Sequence, residues 1–323
     1  MPKAIQIKKQ GAAGVMKWVE VPLGKPKRGE VLIQQSHVGL NYIDVYHRSG
    51  LYPLPLPAGI GMEAAGTVEA VGPGVKNIRI GDRVAYASGP PGSYAEYRIM
   101  PAGRVVKLPE WIANDQAAAM MLQGMTTEYL IRRTYKVKAG DTVLFHAAAG
   151  GVGLIACQWL KQLGATVIGT VGSPAKAKLA KAHGCDHVIN YNKQDFVKRV
   201  RSITKGQGVP VVYDSVGKST FNGSLDCLSP LGMFVSFGNA SGPIPPVDAG
   251  LLSQKGSLYF TRPTLMTYTA SDKDLAASAR SLFAAVKKGV KIEINQRYPM
   301  ANAVQAHRDL EARKTTGSTV FVV

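Results

Sequence analysis

The chain has 323 residues, 46% hydrophobic and 19% charged, long enough for two domains and apolar enough to bury sizeable cores. Lys and Arg exceed Asp and Glu by 39 to 21, and the excess is densest over residues 131–260, at 15 to 6; an anionic ligand or polyanion would be drawn there, while the charge taken alone reads first as a solvated basic face. No apolar run reaches the roughly 20 residues of a membrane span, the first residues carry no apolar secretion segment, and three isolated cysteines, Cys157, Cys185 and Cys227, argue against a disulfide framework or thiolate cluster and for a reducing cytoplasm.

Residues 1–125 read as a β-rich domain. Runs such as Glu30–Gln35, Ala65–Val71 and Asp82–Tyr86 are short, β-branched and bounded by Gly or Pro, which predicts a barrel-like all-β unit. Asn41, Tyr46 and Tyr52 read as part of a Tyr-rich loop with Pro53, Pro55 and Pro57 following. The pattern changes near residue 125. Thr142–His146 is a buried strand, and a glycine loop follows. Val152, Ile155, Ala156, Trp159, Leu160 and Leu163 then recur at helical spacing until Gly164. Further expected elements are strand Ala165–Val171, a basic helix Pro174–His183, strand His187–Asn190, a helix Asp195–Thr204, and strands Val209–Asp214 and Leu231–Phe237. This alternation predicts a parallel sheet in an α/β domain over residues 126–260. The tail, residues 261–323, holds one helix over Asp272–Lys288 and a strand over Thr319–Val323; it is expected to return to the first domain.

The loop His146-Ala-Ala-Ala-Gly-Gly-Val-Gly153 sits between strand and helix, the setting of a dinucleotide fingerprint with Ala148 in the first glycine position. Gly150 and Gly151 allow a pyrophosphate to approach the backbone, the N–H groups of this turn, Val152 included, face it, and Gly153 lets the helix pack on the strand. The plainer reading is a tight strand–helix turn. The second strand decides which dinucleotide. It ends Val171-Gly172-Ser173-Pro174-Ala175-Lys176 with no carboxylate for a ribose 2′-hydroxyl. Ser173 and Lys176 suit a 2′-phosphate, so NADPH is favoured over NADH; Lys178 and Lys181 read as a solvent face.

With Asn41–Tyr52, Gly61-Met-Glu-Ala-Ala-Gly66, His146–Gly153, Val212–Gly217 and Val235–Asn239, the whole chain resembles the medium-chain dehydrogenase/reductase superfamily. Within it the chain resembles the zinc-independent quinone oxidoreductases, the zeta-crystallin relatives, and above all the bacterial NADPH:quinone reductases. The resemblance implies a GroES-like β-barrel catalytic domain joined to a doubly wound Rossmann domain. Zinc dehydrogenases of the superfamily carry Cys where Asn41 stands and Gly-His-Glu where this chain has Gly61-Met62-Glu63. Neither an amide nor a thioether replaces those ligands, so no metal site is expected, and Glu63 reads as a structural polar residue.

Hydride transfer to an acceptor needing little activation remains, and a quinone fits. The resemblance implies that Asn41, Tyr46, Tyr52 and Thr126 border the nicotinamide and substrate, with packing as the alternative for each tyrosine. It further implies that Gly172, Ser173, Lys176, Tyr191, Ser215, Phe237 and Asn239 line the cofactor, that Arg313 is a second cation on the 2′-phosphate, and that the edge strand near Lys255–Phe260 forms a homodimer. Two alternatives stand: an NADPH-dependent reductase of α,β-unsaturated carbonyls on the same site, and secondary single-stranded RNA binding, for which no recognised motif is present.

Overall fold

In the first third of the chain the punctuated β-branched runs form strands: β1 (Lys3–Ile7), β2 (Lys17–Glu20), β3 (Glu30–Leu40), β4 (Ala58–Gly59), β5 (Glu63–Val71), β6 (Arg83–Ala87), β7 (Tyr97–Pro101) and β8 (Val106–Lys107). The alternating segment adds β9 (Thr142–Phe145), β10 (Thr166–Val171), β11 (His187–Asn190), β12 (Val209–Asp214), β13 (Leu228–Ser236) and β14 (Tyr259–Thr261), and the tail adds β15 (Ile294–Pro299) and β16 (Ser318–Val322). The helices are α1 (Tyr42–Ser49), α2 (Asn114–Ala118), α3 (Met121–Tyr129), α4 (Gly151–Gln162), α5 (Pro174–Ala182), α6 (Phe196–Ile203), α7 (Phe221–Asp226), α8 (Ala249–Gln254), α9 (Leu265–Tyr268), α10 (Asp272–Lys287) and α11 (Ala303–Glu311). None is long and apolar enough to cross a membrane.

The computed structural model describes all 323 residues and divides them into two units. The first comprises residues 1–123, 269–280 and 292–323; the second comprises 124–268 and 281–291. The expected return segment 261–323 is thus shared, with 261–268 and 281–291 grouping with the second unit.

In the first unit β3 pairs antiparallel with β5 along its length, with β7 over Glu30–Gln34, and with β16 over His37–Leu40. This change of partner gives the sheet its barrel-like character. Its core gathers Ile5, Val31, Ile33, Tyr86, Met100 and Phe321. In the second unit the strand order is β11-β10-β9-β12-β13-β14, all parallel. Counted within the unit, this is the 3-2-1-4-5-6 order of doubly wound dinucleotide folds, whose ligand crevice opens at the carboxyl ends of the two central strands, here β9 and β12. Its core includes Leu144, Ile168, Val212 and Phe234.

Two expectations are corrected. Residues 42–49 are not loop but helix α1, with Asn41 as its N-cap residue. The Asp44 carboxylate accepts the Asn41 N–H at 2.9 Å, the returning half of a capping box, and Gly50, with φ +96, closes the helix in the left-handed region. Strand β13 also begins earlier than the expected Leu231. Leu228 pairs with Val209 and Met233 with Val211, so Ser229–Gly232 bulge out of the ladder, with Leu231 at φ +62 and 66% exposed.

Candidate active site

In the second unit, β9 delivers the chain to the glycine loop. Ala148 N–H donates to Thr170 O at 3.0 Å, pinning the loop to β10. Gly150 is the N-cap residue of α4, with no side-chain cap, and its own N–H returns to Ala147 O at 2.9 Å. The N–H groups of Gly151, Val152 and Gly153 are left as first-turn donors, where the helix dipole adds partial positive charge. A Cβ on Gly153 would lie 2.4 Å from Ala147 O and 2.7 Å from Ala148 C, so only glycine lets the helix start this close to the strand. This cradle of bare backbone fits a pyrophosphate.

At the end of β10, Gly172 leads into Ser173, the N-cap of α5, whose Oγ accepts Lys176 N–H at 3.3 Å. Pro174 opens that helix. The cap leaves the serine hydroxyl hydrogen available to an anion, beside the half-buried Lys176. A Cβ on Gly172 would sit 2.6 Å from Tyr191 Oη, and Asn192 Nδ2 donates to Gly172 O at 2.7 Å. With glycine at this position the strand end supplies no acid for a 2′-hydroxyl.

Ser215 follows β12, and Phe237 and Asn239 follow β13. Phe237 N–H donates to Asp214 O at 2.8 Å, Ala240 N–H to Ser215 O at 3.1 Å and Ser241 N–H to Val216 O at 2.7 Å, lacing these two loops together at the carboxyl edge of the sheet. Thr126, in α3, is buried at 7% exposure. The structure thus brings Gly150–Gly153, Gly172, Ser173, Lys176, Tyr191, Ser215, Phe237 and Asn239 to the loops at the carboxyl ends of one parallel sheet.

The first unit holds the remaining candidates. Asn41 is buried, and its Nδ2 donates to Glu63 Oε2 at 2.7 Å while its Oδ1 accepts Gln123 Nε2 at 3.2 Å. Glu63 is fully buried and accepts Leu122 N–H at 2.7 Å on its other oxygen. Burial pushes its carboxyl up to about 8, against the hydrogen bond from Asn41. Asp44, which also accepts the Tyr94 hydroxyl at 2.9 Å, is pushed up to about 7 by burial. Tyr46 lies buried, its ring 5.5 Å from Tyr42 and 5.2 Å from the half-buried Tyr52. Tyr42 and Tyr52, rather than Tyr46, present aromatic surface. Arg313 is exposed just beyond α11 with φ +59. Two residues earlier Glu311 takes a paired contact from the buried Arg48, at 2.8 and 2.7 Å.

Sequence reasoning missed Gln123, which orients Asn41, and Tyr42. Gln123 lies 82 residues from Asn41, and no local pattern links them. Tyr42 was legible only once α1 was recognised as a helix, which places it one turn from Tyr46.

The chain matches the family models described as "Alcohol dehydrogenase GroES-like domain" over residues 27–110 and "Zinc-binding dehydrogenase" over residues 151–284. It is 52% identical over 324 residues, all of both chains, to a quinone oxidoreductase of Pseudomonas aeruginosa. It superposes with a TM-score of 0.98 on the quinone oxidoreductase of Escherichia coli solved with NADPH, 47% identical and covering 99% of this chain and 100% of that one. A 2-haloacrylate reductase of a Burkholderia species is 44% identical over 100% of this chain and 99% of its own. The zinc in the second family description does not fit the donors present: Asn41 and Glu63 satisfy each other, Met62 is a buried thioether, and no three His, Cys, Asp or Glu stand together. The chain belongs to the quinone oxidoreductases of the medium-chain dehydrogenase/reductase superfamily.

Proposed function

We propose that this chain reduces quinones with NADPH by hydride transfer and without zinc. The observation carrying the reading is the uncapped start of α4 at the carboxyl edge of a 3-2-1-4-5-6 sheet, followed by a second strand that ends in Gly172-Ser173 with Lys176 alongside. NADPH, when bound, supplies the hydride. The residues bind and orient: the N–H groups of Gly151, Val152 and Gly153 hold the pyrophosphate, Ser173, Lys176 and Arg313 the 2′-phosphate. Tyr191 serves the adenine side, and Ser215, Phe237, Asn239 and Thr126 the nicotinamide side.

On the acceptor side, Asn41 keeps one Nδ2 hydrogen beyond the one given to Glu63, a donor for a ribose or a quinone carbonyl. Tyr46 backs Tyr52, whose ring and hydroxyl suit a planar, electron-poor carbonyl compound. The reading extends to a homodimer through the edge strand β14, where Tyr259 is 59% exposed, and to a cytoplasmic location, in keeping with three free cysteines.

The test is a steady-state panel of 1,4-benzoquinone and an alkenal, each with NADPH and NADH. Quinone reduction preferring NADPH is expected. Turnover of the alkenal with none of the quinone would replace this reading with the reductase of α,β-unsaturated carbonyls.

A further inference from the structure

Behind the glycine loop, four buried side chains make one continuous run of hydrogen bonds. His146, Thr170, Asp214 and Ser224 are each no more than 1% exposed. His146 Nδ1 lies 2.9 Å from Thr170 Oγ1 and its Nε2 lies 3.0 Å from Ser224 Oγ. Ser224 Oγ in turn donates to Asp214 Oδ2 at 3.0 Å. The second Asp214 oxygen accepts the N–H groups of Val216 and Gly217 at 2.7 and 2.9 Å, folding the residues after β12 into an Asx turn. Phe196 stands edge-on to the His146 ring at 5.2 Å and fixes its plane.

The proton positions follow from the inventory of donors. Ser224 Oγ gives its single hydrogen to Asp214 Oδ2. The hydroxyl oxygen must then accept from His146, which places hydrogen on Nε2. Burial favours the neutral ring, so Nδ1 accepts the Thr170 hydroxyl. Every polar atom in the run is satisfied in one direction only, the condition under which a buried network adds rigidity. Its two ends matter most: His146 is the residue before the glycine loop, and Asp214 is the residue before Ser215.

We propose that Thr170, His146, Ser224 and Asp214 are positioning residues of the nucleotide site, holding the 147–153 loop and the 215–217 turn in fixed register through the Nε2–H tautomer of His146. The proposal rests on the reading of those loops as the NADPH site. None of the four touches the ligand in that reading; they act through the backbone they hold.

Two variants test it. Ser224→Ala leaves His146 Nε2–H and one Asp214 oxygen without partners. The KM and the fluorescence-titrated Kd for NADPH should rise about tenfold or more, with kcat at saturating NADPH and the KM for benzoquinone within about twofold of wild type. Asp214→Asn keeps an oxygen for Val216 and Gly217 and turns an N–H toward Ser224. The run can then reverse: Ser224 donates to His146 Nε2, and Nδ1–H donates to Thr170. Histidine-detected 15N NMR should show Nε2–H in the wild type and Nδ1–H in Asp214→Asn.

An Nδ1–H or doubly protonated His146 in the wild type would overturn the proposal, as would a Ser224→Ala enzyme whose losses fall on kcat alone. If Ser224→Ala does not fold, the tautomer exchange in Asp214→Asn still decides. A wild-type protein that binds no NADPH would refute the underlying site reading, whereas wild-type binding left unchanged by Ser224→Ala refutes the positioning role alone.

Discussion

Glu63→Gln should change how stability depends on pH. The Glu63 carboxyl is fully buried and its folded value is pushed by burial to about 8 from an ordinary 4.5. A carboxyl raised in this way contributes most to stability below its unfolded value, and the contribution is lost as pH rises through the folded value. Between pH 5 and pH 8 the loss from this group alone comes to roughly 3 kcal/mol, at about 1.36 kcal/mol per pKa unit. The amide variant cannot ionise. It also has a route to satisfy its neighbours. The introduced oxygen stays under Leu122 N–H, and its NH2 faces Asn41, whose amide turns over. Gln123 turns in response, and its NH2 meets Ser318 Oγ, which still donates to Ala119 O, 2.8 Å away. Urea unfolding of both proteins at several pH values from 5 to 8 measures the difference. Relative to wild type, Glu63→Gln should gain about 3 kcal/mol across that range; Asp44, raised to about 7, titrates in both proteins, so only its coulombic coupling to the Glu63 charge differs between them. Parallel stability curves would show that Glu63 does not titrate there, and the burial reasoning would fail.

Lys176→Ala and Arg313→Ala should each weaken NADPH far more than NADH, by about tenfold or more for a charge-assisted phosphate contact; equal losses for the two cofactors in a fluorescence titration would count against both assignments. Gly153→Ala forces a Cβ to within 2.4 Å of Ala147 O and should cost roughly 1–3 kcal/mol, with NADPH affinity falling alongside; a variant with wild-type melting temperature and affinity would contradict the close-approach reading. Dialysis against a chelator should leave quinone reduction unchanged, and activity lost on dialysis and restored by zinc would refute the metal-free reading.

The Rossmann half was legible because its signals are local. A four-residue apolar strand, a bare loop and an amphipathic helix follow one another within the 142–162 segment, and each step is set by periodicity or by glycine. Helix α1 was less so. Its eight residues include two tyrosines and the β-branched Ile43 and Val45, which have modest helix propensity, and the prolines that follow suggested a loop. The deciding signal was short-range and available: Asn41 with Asp44 three residues on, then Gly50. The side-chain networks had no such signal. Glu63 meets Asn41 across 22 residues and His146 meets Ser224 across 78; the pairing of β3 with β5 brings the first two together, and the placement of α7 beside the end of β9 the second.

The departure of the loop from the dinucleotide fingerprint shows how a local anomaly can have a distant cause. Ala148 stands in the first glycine position, yet it is completely buried against β10. Its methyl group needs space on that strand, and Gly169 provides it: a Cβ at 169 would lie 2.7 Å from the Ala148 Cβ and 2.6 Å from Cys185 Sγ. A glycine inside a buried strand weakens the strand for no local benefit, and an alanine at 148 departs from the motif for no local benefit. Taken together they are one packing unit, in which the volume gained at 148 is matched by the volume removed at 169. The loop therefore keeps the backbone path of the fingerprint although the sequence does not keep its first glycine.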